Sequence, residues 1–274
     1  MLAIFILALF SSAAIGYILF KPKYVRYRRA QITKRPFPES WRAILKRRMP
    51  YFRALPSDLQ LQLKRHIQIF IAEKRFVGCQ GIAIDDEIRV TIAAQACLLL
   101  LNRDTDYYPK LKQILVYPSL FIVNQMQQNG DGTFWERKNI LSGESWEFGK
   151  VVLSWHTAKE DAAQPYDGHN VVIHEFAHQL DQEDGHSNGA PILANANDYQ
   201  SWSSIMTQEF EQLREDARYH QPSLFNYYGA TNEAEFFAVI TETFFERPHD
   251  FYQQHPALYK QMSQFFKLDP VNWH

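Results

Sequence analysis

The segment Val171–Asp181, VVIHEFAHQLD, restricts the possible fold more than any other part of the chain. His174 and His178 are four residues apart, and on an α-helix this spacing places the two side chains one above the other on the same face. The other faces of such a helix are apolar and carry Val171, Val172, Ile173, Phe176, Ala177 and Leu180. A helix of this kind crosses a hydrophobic core while keeping one polar face, so the chain needs a folded body around it.

The composition supports a folded body of this kind. The 274 residues are 46% apolar and 15% aromatic, which is enough to bury a sizeable core and argues against disorder. The formal net charge of −1 argues against direct nucleic-acid binding, which requires a basic excess. Cys79 and Cys97 both lie among apolar residues, and this favours buried free thiols over a disulfide or a metal pair.

The N-terminal residues differ from the rest of the chain. Residues 2–20 carry no charge, and as a helix they would rise about 28 Å, close to the hydrocarbon thickness of a bilayer. Seven basic residues and no acid follow between Lys21 and Arg35. A secretory signal places its positive charge before the apolar run, so this order favours a retained anchor over an export signal or a buried helix.

The resulting prediction is a single-pass protein of the inner (cytoplasmic) membrane, with its catalytic domain in the cytoplasm. It consists of a transmembrane anchor over residues 1–20, a basic juxtamembrane linker over 21–38 and a folded domain over 39–274. Pro36 and Pro38 provide a stiff break between linker and domain.

The folded domain is predicted to be α+β and dominated by helices, with a small mixed sheet. Ser57 and Asp58 after Pro56 indicate a helix start, and the acids of residues 85–87 begin a second helix that is apolar nearly all round. Short strand patterns occur around residues 113–123 and 146–155, and helical patterns continue from Asn170 to the end. The sheet therefore precedes the helix with the two histidines.

The His-Glu-x-x-His motif on that helix is typical of a zinc site. Two imidazoles at i and i+4 can bind one Zn²⁺, and Glu175 lies beside them where it can reach a water. A helix that merely carries two surface histidines is the alternative. A structural zinc takes four protein ligands, but the sequence has no Cys-x-x-Cys, and His186 does not fall at the spacing of a third histidine. A carboxylate from further along the chain is left as the third ligand.

Four acids in the segment NEAEFFAVITETFFERP could supply this ligand: Glu233, Glu235, Glu242 and Glu246. Glu235 and Glu242 are seven residues apart and lie on nearly the same helix face, so spacing does not choose between them. Glu242 is slightly favoured as the ligand because Glu246, one helical turn further on, could act as its partner in the outer shell of the metal site. Asp181, three residues after His178, is either a hydrogen-bond acceptor behind a ligand histidine or a solvated helix acid.

The motifs IAAQACLLLL, LVYPSLF, SGESWEFGKVVLSW, VVIHEFAHQLDQEDG and AEFFAV together resemble the Mlc titration factor A family, also called glucose-regulated metallopeptidases. The resemblance covers roughly residues 40–270, and the uncharged N-terminal run departs from the family pattern. YGATNEAEFFA also resembles the ligand-bearing helix of the anthrax lethal factor peptidase domain. The resemblance implies a zincin-like fold and a gluzincin site, with His174, His178 and Glu235 holding one Zn²⁺ and Tyr228, rather than Tyr227, near the metal.

This resemblance implies a zinc-dependent peptidase, with an aminopeptidase-like or an internal mode left open. Glu175 would act as general base toward a metal-activated water, and Tyr228 would donate a hydrogen bond to the oxyanion. The run WEFGKVVLSW is predicted to offer an edge strand to a peptide or protein substrate. Two alternatives remain: a regulatory protein that sequesters a transcriptional repressor, and a membrane scaffold with a vestigial zinc site.

Overall fold

The computed structural model describes the backbone of residues 2–119, 121–128, 134–141, 143–146 and 149–273, and the side chains outside 2–8, 12–14, 51 and 121–146. Within these residues the helices are α1 (Leu2–Thr33), α2 (Glu39–Arg48), α3 (Ser57–Glu73), α4 (Asp86–Leu98), α5 (Trp155–Ala163), α6 (Val171–Asp181), α7 (Asp198–Tyr219), α8 (Glu233–Glu246), α9 (Pro248–Gln254) and α10 (Pro256–Phe266). The strands are β1 (Arg75–Gly78), β2 (Gln113–Tyr117), β3 (Phe121–Gln128), β4 (Phe134–Leu141), β5 (Gly143–Trp146) and β6 (Lys150–Ser154). The architecture is helix-dominated α+β.

The described strands form a small sheet in the order β1-β2-β6-β5, and β3 and β4 pair separately as an antiparallel hairpin. β1, β2 and β6 are parallel, while β5 joins the edge of β6 in the antiparallel direction. Ile114 of β2 lies opposite Val151 of β6, and both are fully buried. The sheet is therefore a packed layer of the core.

This strand order corrects the prediction of an edge strand over residues 146–155. β6, which contains half of that run, lies between β2 and β5 and has both of its edges paired, while Trp146 ends β5. Residues 147 and 148 lie outside the described residues. Among the strands that the structure describes, the edge strand on this side of the sheet is β5, which lies next to α6.

Helix starts follow the predicted capping signals. α3 begins at Ser57, and α4 begins after Asp85, whose side chain accepts a hydrogen bond from the backbone N–H of Ile88 at 2.9 Å. Nearly every residue of α4 is buried, as its apolar sequence predicted. Both cysteines are free thiols, with Cys97 buried and Cys79 partly exposed. The burial of most of its residues makes α4 a central core helix.

α6 and α8 pack against each other and carry the candidate site residues. Asn170 caps α6 by accepting from the N–H of Ile173 at 3.0 Å, and Asn232 caps α8 by accepting from the N–H of Glu235 at 2.9 Å. The apolar side of α6 reaches the core through Phe176, whose ring is 4.9 Å from that of Tyr108. Hydrophobic burial thereby fixes the position of both helices, with their polar faces toward each other.

The prediction of an N-terminal transmembrane anchor is wrong. Across the residues that the structure describes, none of the helices combines the length and the apolar character that a bilayer crossing requires. The apolar run is not a separate element, because α1 continues through the basic residues as far as Thr33. The predicted single-pass location at the inner membrane, with the membrane as a partner, is overturned by the same finding.

The basic segment also differs from the predicted linker. Arg29 binds Glu73 of α3 at 2.8 Å and Asp106 at 2.7 Å, and its guanidinium lies 4.6 Å from the ring centroid of Tyr107. The end of α1 is thus attached to the folded body. The chain leaves the helical conformation before Pro36 and Pro38, at the predicted break, and resumes it in α2.

Candidate metal centre

Three ligand atoms from α6 and α8 converge on one point. His174 Nε2 lies 3.0 Å from Glu235 Oε2 and 3.2 Å from His178 Nε2, and His178 Nε2 lies 3.3 Å from the same carboxylate oxygen. Among the described residues, these three form the one group of histidines, cysteines and acids arranged to hold a metal ion. The i, i+4 spacing on α6 supplies two of the atoms, and the packing of α8 on α6 supplies the third.

The other nitrogen of His174 explains why these atoms face each other. Nδ1 lies 2.7 Å from Glu242 Oε1, and because a carboxylate accepts hydrogen bonds, Nδ1 carries the ring proton. This contact turns Nε2 toward His178 and Glu235, and Nε2 can offer a lone pair there once it gives up the second proton of the charged ring. Either a proton or a metal ion must lie among acceptor atoms at these distances, and two imidazole nitrogens with one carboxylate oxygen are a ligand set that fits zinc.

The charges of the site reflect the same proximity. Burial opposes ionisation of Glu235, but hydrogen bonds with His174 and His178 lower its pKa to about 2. Burial also opposes protonation of His174, yet its hydrogen bonds with Glu235 and Glu242 raise its pKa well above the usual value. The carboxylates thus attract positive charge to the point where the three atoms converge.

Glu242 and Glu246 lie behind the ligand atoms. Glu242 Oε2 accepts from the backbone N–H of Asn170 at 2.6 Å, while Glu246 accepts from the side-chain amide of Asn170 at 3.0 Å and from the N–H of Tyr166 at 2.7 Å. Burial raises the pKa of Glu246 to about 8. Glu242 therefore contacts Nδ1 of His174 directly. Glu246 contacts Asn170 instead of a histidine.

Glu175 and Tyr228 lie beside this group. Glu175 is 5% exposed, and its negative charge is close enough to raise the pKa of both His174 and Tyr228. The ring of Tyr228 lies 5.9 Å from that of His174. Burial and the nearby Glu235 and Glu175 raise the pKa of Tyr228 to about 12, so the phenol keeps its proton and can donate it in a hydrogen bond.

Tyr227 points elsewhere. Its hydroxyl donates to the backbone carbonyl of Gln221, away from the histidines. The two neighbouring tyrosines begin the same short 3-10 turn, Tyr227–Ala230, which Asn226 caps through a 2.8 Å bond from the N–H of Tyr228. The turn therefore directs one phenol toward Glu235 and the other away from it.

Asp181 has a different environment from the one predicted. It is fully buried, and its Oδ2 accepts from the N–H of Gly189 at 3.0 Å. Gly189 has φ +70°, and a Cβ there would lie 2.4 Å from the carbonyl oxygen of Glu233. Asp181 thus holds a loop against the first turn of α8, where Glu235 begins the site. Among the described residues, no hydrogen bond joins Asp181 to His178 Nδ1.

Of the four acids considered for the third ligand, the structure brings Glu235 to the histidine Nε2 atoms and Glu242 to the outer side of His174. Glu233 is exposed and lies away from both. Sequence reasoning missed Asn170, which contacts both Glu242 and Glu246. Its position before an apolar helix is a recognisable capping signal, but its contacts with α8 depend on tertiary packing.

Comparison with known proteins places the chain in a class. It belongs to a family of metallopeptidases. The matching family is described as glucose-regulated metallo-peptidase M90, and the match covers residues 24–267. This confirms the resemblance drawn from the motifs, and the family implies a metal at the site.

Three relatives illustrate the range of similarity. A Synechocystis protein described as uncharacterized is 42% identical over 94% of both chains. Mlc titration factor A of Cronobacter sakazakii is 29% identical over 85% of this chain and 88% of its own. Mlc titration factor A of Yersinia pestis is 30% identical over 81% of this chain and 83% of its own.

Proposed function

We propose that this chain is a zinc-dependent peptidase in which His174, His178 and Glu235 hold one Zn²⁺. The observation that carries the proposal is the convergence of three lone-pair atoms within 3.0 to 3.3 Å of one another, in a chain of a metallopeptidase family. Three protein ligands leave one coordination position for a water or substrate, which is the arrangement of catalytic rather than structural zinc.

Bound zinc supplies Lewis acidity, which brings the pKa of a water toward neutrality and polarises a carbonyl. Glu175, one residue from His174 on α6, takes the proton of the attacking water and passes it to the leaving amine. Tyr228 keeps its proton at neutral pH and donates a hydrogen bond to the oxygen that becomes negative in the tetrahedral intermediate. Glu242 fixes the His174 ring with Nε2 facing Glu235.

The free edge of β5 offers a place for the substrate backbone. β5 lies next to α6, and an extended peptide can add to an unpaired strand edge through main-chain hydrogen bonds. The peptide would then run along the helix that carries Glu175. This arrangement replaces the interior strand β6 as the proposed substrate-binding strand.

A second candidate function follows from the names of the relatives. Mlc titration factor A is named for a protein it titrates, so this chain could act by binding a transcriptional repressor, with peptide cleavage secondary. Binding alone requires no general base beside a metal. The buried position of Glu175 beside the ligand histidines therefore favours catalysis.

Hydrolysis of a quenched fluorescent peptide library tests the proposal. The zinc-loaded chain is expected to cleave peptides, and Glu175→Gln is expected to bind zinc equally but cleave at least about 10²-fold more slowly. Mass spectrometry of the products distinguishes aminopeptidase-like removal of terminal residues from internal cleavage. Full zinc occupancy with no cleavage of any peptide would reject the peptidase proposal and favour the binding function.

A further inference from the structure

Asn170, one residue before α6, connects the parts of the site through four hydrogen bonds. Its side-chain oxygen accepts from the N–H of Ile173 at 3.0 Å, and its carbonyl accepts from the N–H of His174 at 2.9 Å. Its own N–H donates to Glu242 at 2.6 Å, and its amide nitrogen donates to Glu246 at 3.0 Å. The residue is 1% exposed, so these bonds satisfy groups that have little access to water.

We propose that Asn170 is a positioning residue for the metal centre, although it touches neither the metal nor the substrate. Its side-chain oxygen fixes the first turn of the helix that carries both histidines. Its backbone N–H holds one oxygen of Glu242, and the other oxygen of Glu242 holds the ring of His174. Glu246 in turn fixes the amide of Asn170. The inference rests on the proposed metal function of His174, His178 and Glu235.

Asparagine is the residue type that this position requires. Aspartate can cap a helix with a side-chain oxygen, but as a carboxylate it has no proton to donate to Glu246. A serine hydroxyl can both accept and donate, but through a single atom on a shorter side chain, whereas asparagine uses two separate atoms for the two bonds. Aspartate would add a further carboxylate beside Glu242 and Glu246. Only a side chain with both an acceptor and a donor, at this length, serves α6 and α8 together.

Glu246 is itself held from its far side. The N–H of Tyr166 donates to it at 2.7 Å, and Tyr166 has φ +82°, a left-handed conformation that is uncommon for a residue with a side chain. On the neighbouring side of the α6 start, Asp161 accepts from the N–H of Val171 at 2.8 Å. The start of α6 is thus fixed by carboxylates from two other helices, α5 and α8, which also suits the positive end of its dipole.

The test uses Asn170→Ser, which keeps a capping oxygen and the backbone N–H but removes the amide nitrogen that donates to Glu246. The readouts are the affinity for Zn²⁺, measured by competition with a chromophoric chelator, and the visible absorption spectrum of the Co²⁺-loaded protein. Loss of an outer hydrogen-bond partner typically weakens metal binding by about 10–100-fold. We expect a loss of this size and an altered Co²⁺ spectrum, with a melting temperature close to that of the wild type.

Two further comparisons separate positioning from simple helix capping. Asp85→Ala removes the cap of α4, and we expect a lower melting temperature with unchanged zinc affinity. Glu246→Gln keeps an acceptor for the Asn170 amide, so it should retain more zinc affinity than Glu246→Ala. This pair of variants tests the inference even if Asn170→Ser folds poorly.

Wild-type zinc affinity and Co²⁺ spectrum in Asn170→Ser, or equal zinc affinity in the two Glu246 variants, would overturn the inference. Because these readouts measure metal binding, a chain that binds zinc but cleaves no peptide would reject the peptidase proposal and leave this one standing.

Discussion

His174 and Glu242 are joined by a 2.7 Å contact between the ring Nδ1 and the carboxylate Oε1, on the side of the imidazole opposite the metal centre. This contact assigns the ring proton to Nδ1 and leaves Nε2 available as a ligand. It also separates the roles of two acids on one helix. Glu235 faces Nε2, whereas Glu242 faces Nδ1.

Zinc content should depend on both histidines of α6. We expect about one zinc per chain in the wild type and loss of that zinc in His174→Ala and in His178→Ala, because each variant removes one of the three proposed ligands. Metal analysis by mass spectrometry after dialysis measures this. His186→Ala is the control, since that residue is exposed and should leave the zinc content unchanged. Full zinc content in both α6 variants would refute the assignment.

The two acids of α8 should differ in their effect on metal binding. Glu235→Ala removes a ligand and is expected to abolish binding at micromolar zinc. Glu242→Ala removes only the partner of Nδ1 and should weaken affinity by about 10–100-fold. Isothermal titration of each variant with zinc compares them. If Glu242→Ala alone loses the metal, the ligand assignment is reversed.

The general base can be tested without disturbing the metal. Glu175→Gln has nearly the same shape and is not a proposed ligand, so zinc content and melting temperature should remain close to wild type. Peptide hydrolysis should slow by at least about 10²-fold, because the attacking water then loses its proton to solvent. The exposed acid Glu215 provides a matched Glu→Gln control with wild-type activity. Undiminished hydrolysis in Glu175→Gln would point to a contaminating peptidase.

Two neighbouring tyrosines offer a matched pair. Tyr228→Phe removes the phenol next to His174 and should lower kcat by about 10²–10³-fold, as loss of one oxyanion donor does elsewhere. Tyr227→Phe removes a bond to the carbonyl of Gln221 and should leave kcat nearly unchanged. Steady-state kinetics on one fluorogenic peptide measures both. The opposite pattern would mean that the roles of the two phenols are exchanged.

Glu246 should make stability depend on pH. Burial raises its pKa to about 8 in the folded chain, whereas an unfolded glutamate titrates near about 4.3. The folded state therefore holds an extra proton between these values, and its stability falls as pH rises through this window. Glu246→Gln cannot ionise, so its free energy of unfolding relative to wild type should increase from pH 5 to 8, by up to about 1.4 kcal/mol per pH unit.

Urea unfolding of both proteins over this pH range measures the difference. Glu215→Gln, at an exposed position, should show no such trend. A constant difference between wild type and Glu246→Gln at every pH would show that the Glu246 carboxyl titrates normally.

Local sequence signals predicted much of the fold around the site. Asp85 and Asn232 cap the helices that follow them, and the apolar faces of α4, α6 and α8 are buried as their periodicity indicated. Spacing could not choose between Glu235 and Glu242, because a separation of seven residues puts both on one face. The choice depends on where α8 lies along α6, which tertiary packing sets. The apolar N-terminal run was misinterpreted because hydropathy alone did not show that α1 continues to Thr33 and joins the folded body at Arg29.

His174 and Glu235 are 61 residues apart in the chain, yet their ligand atoms lie 3.0 Å apart. An ion bound by both would close a loop that contains α7 and the Asp181-anchored turn. An ion that binds the folded chain but not the unfolded one stabilises the fold by mass action, by about 2.7 kcal/mol when the free ion is at 100 times its Kd. The proposed ion would then also stabilise the packing of α8 on α6. Removing it with a chelator would loosen the region between these two helices before it affected the sheet.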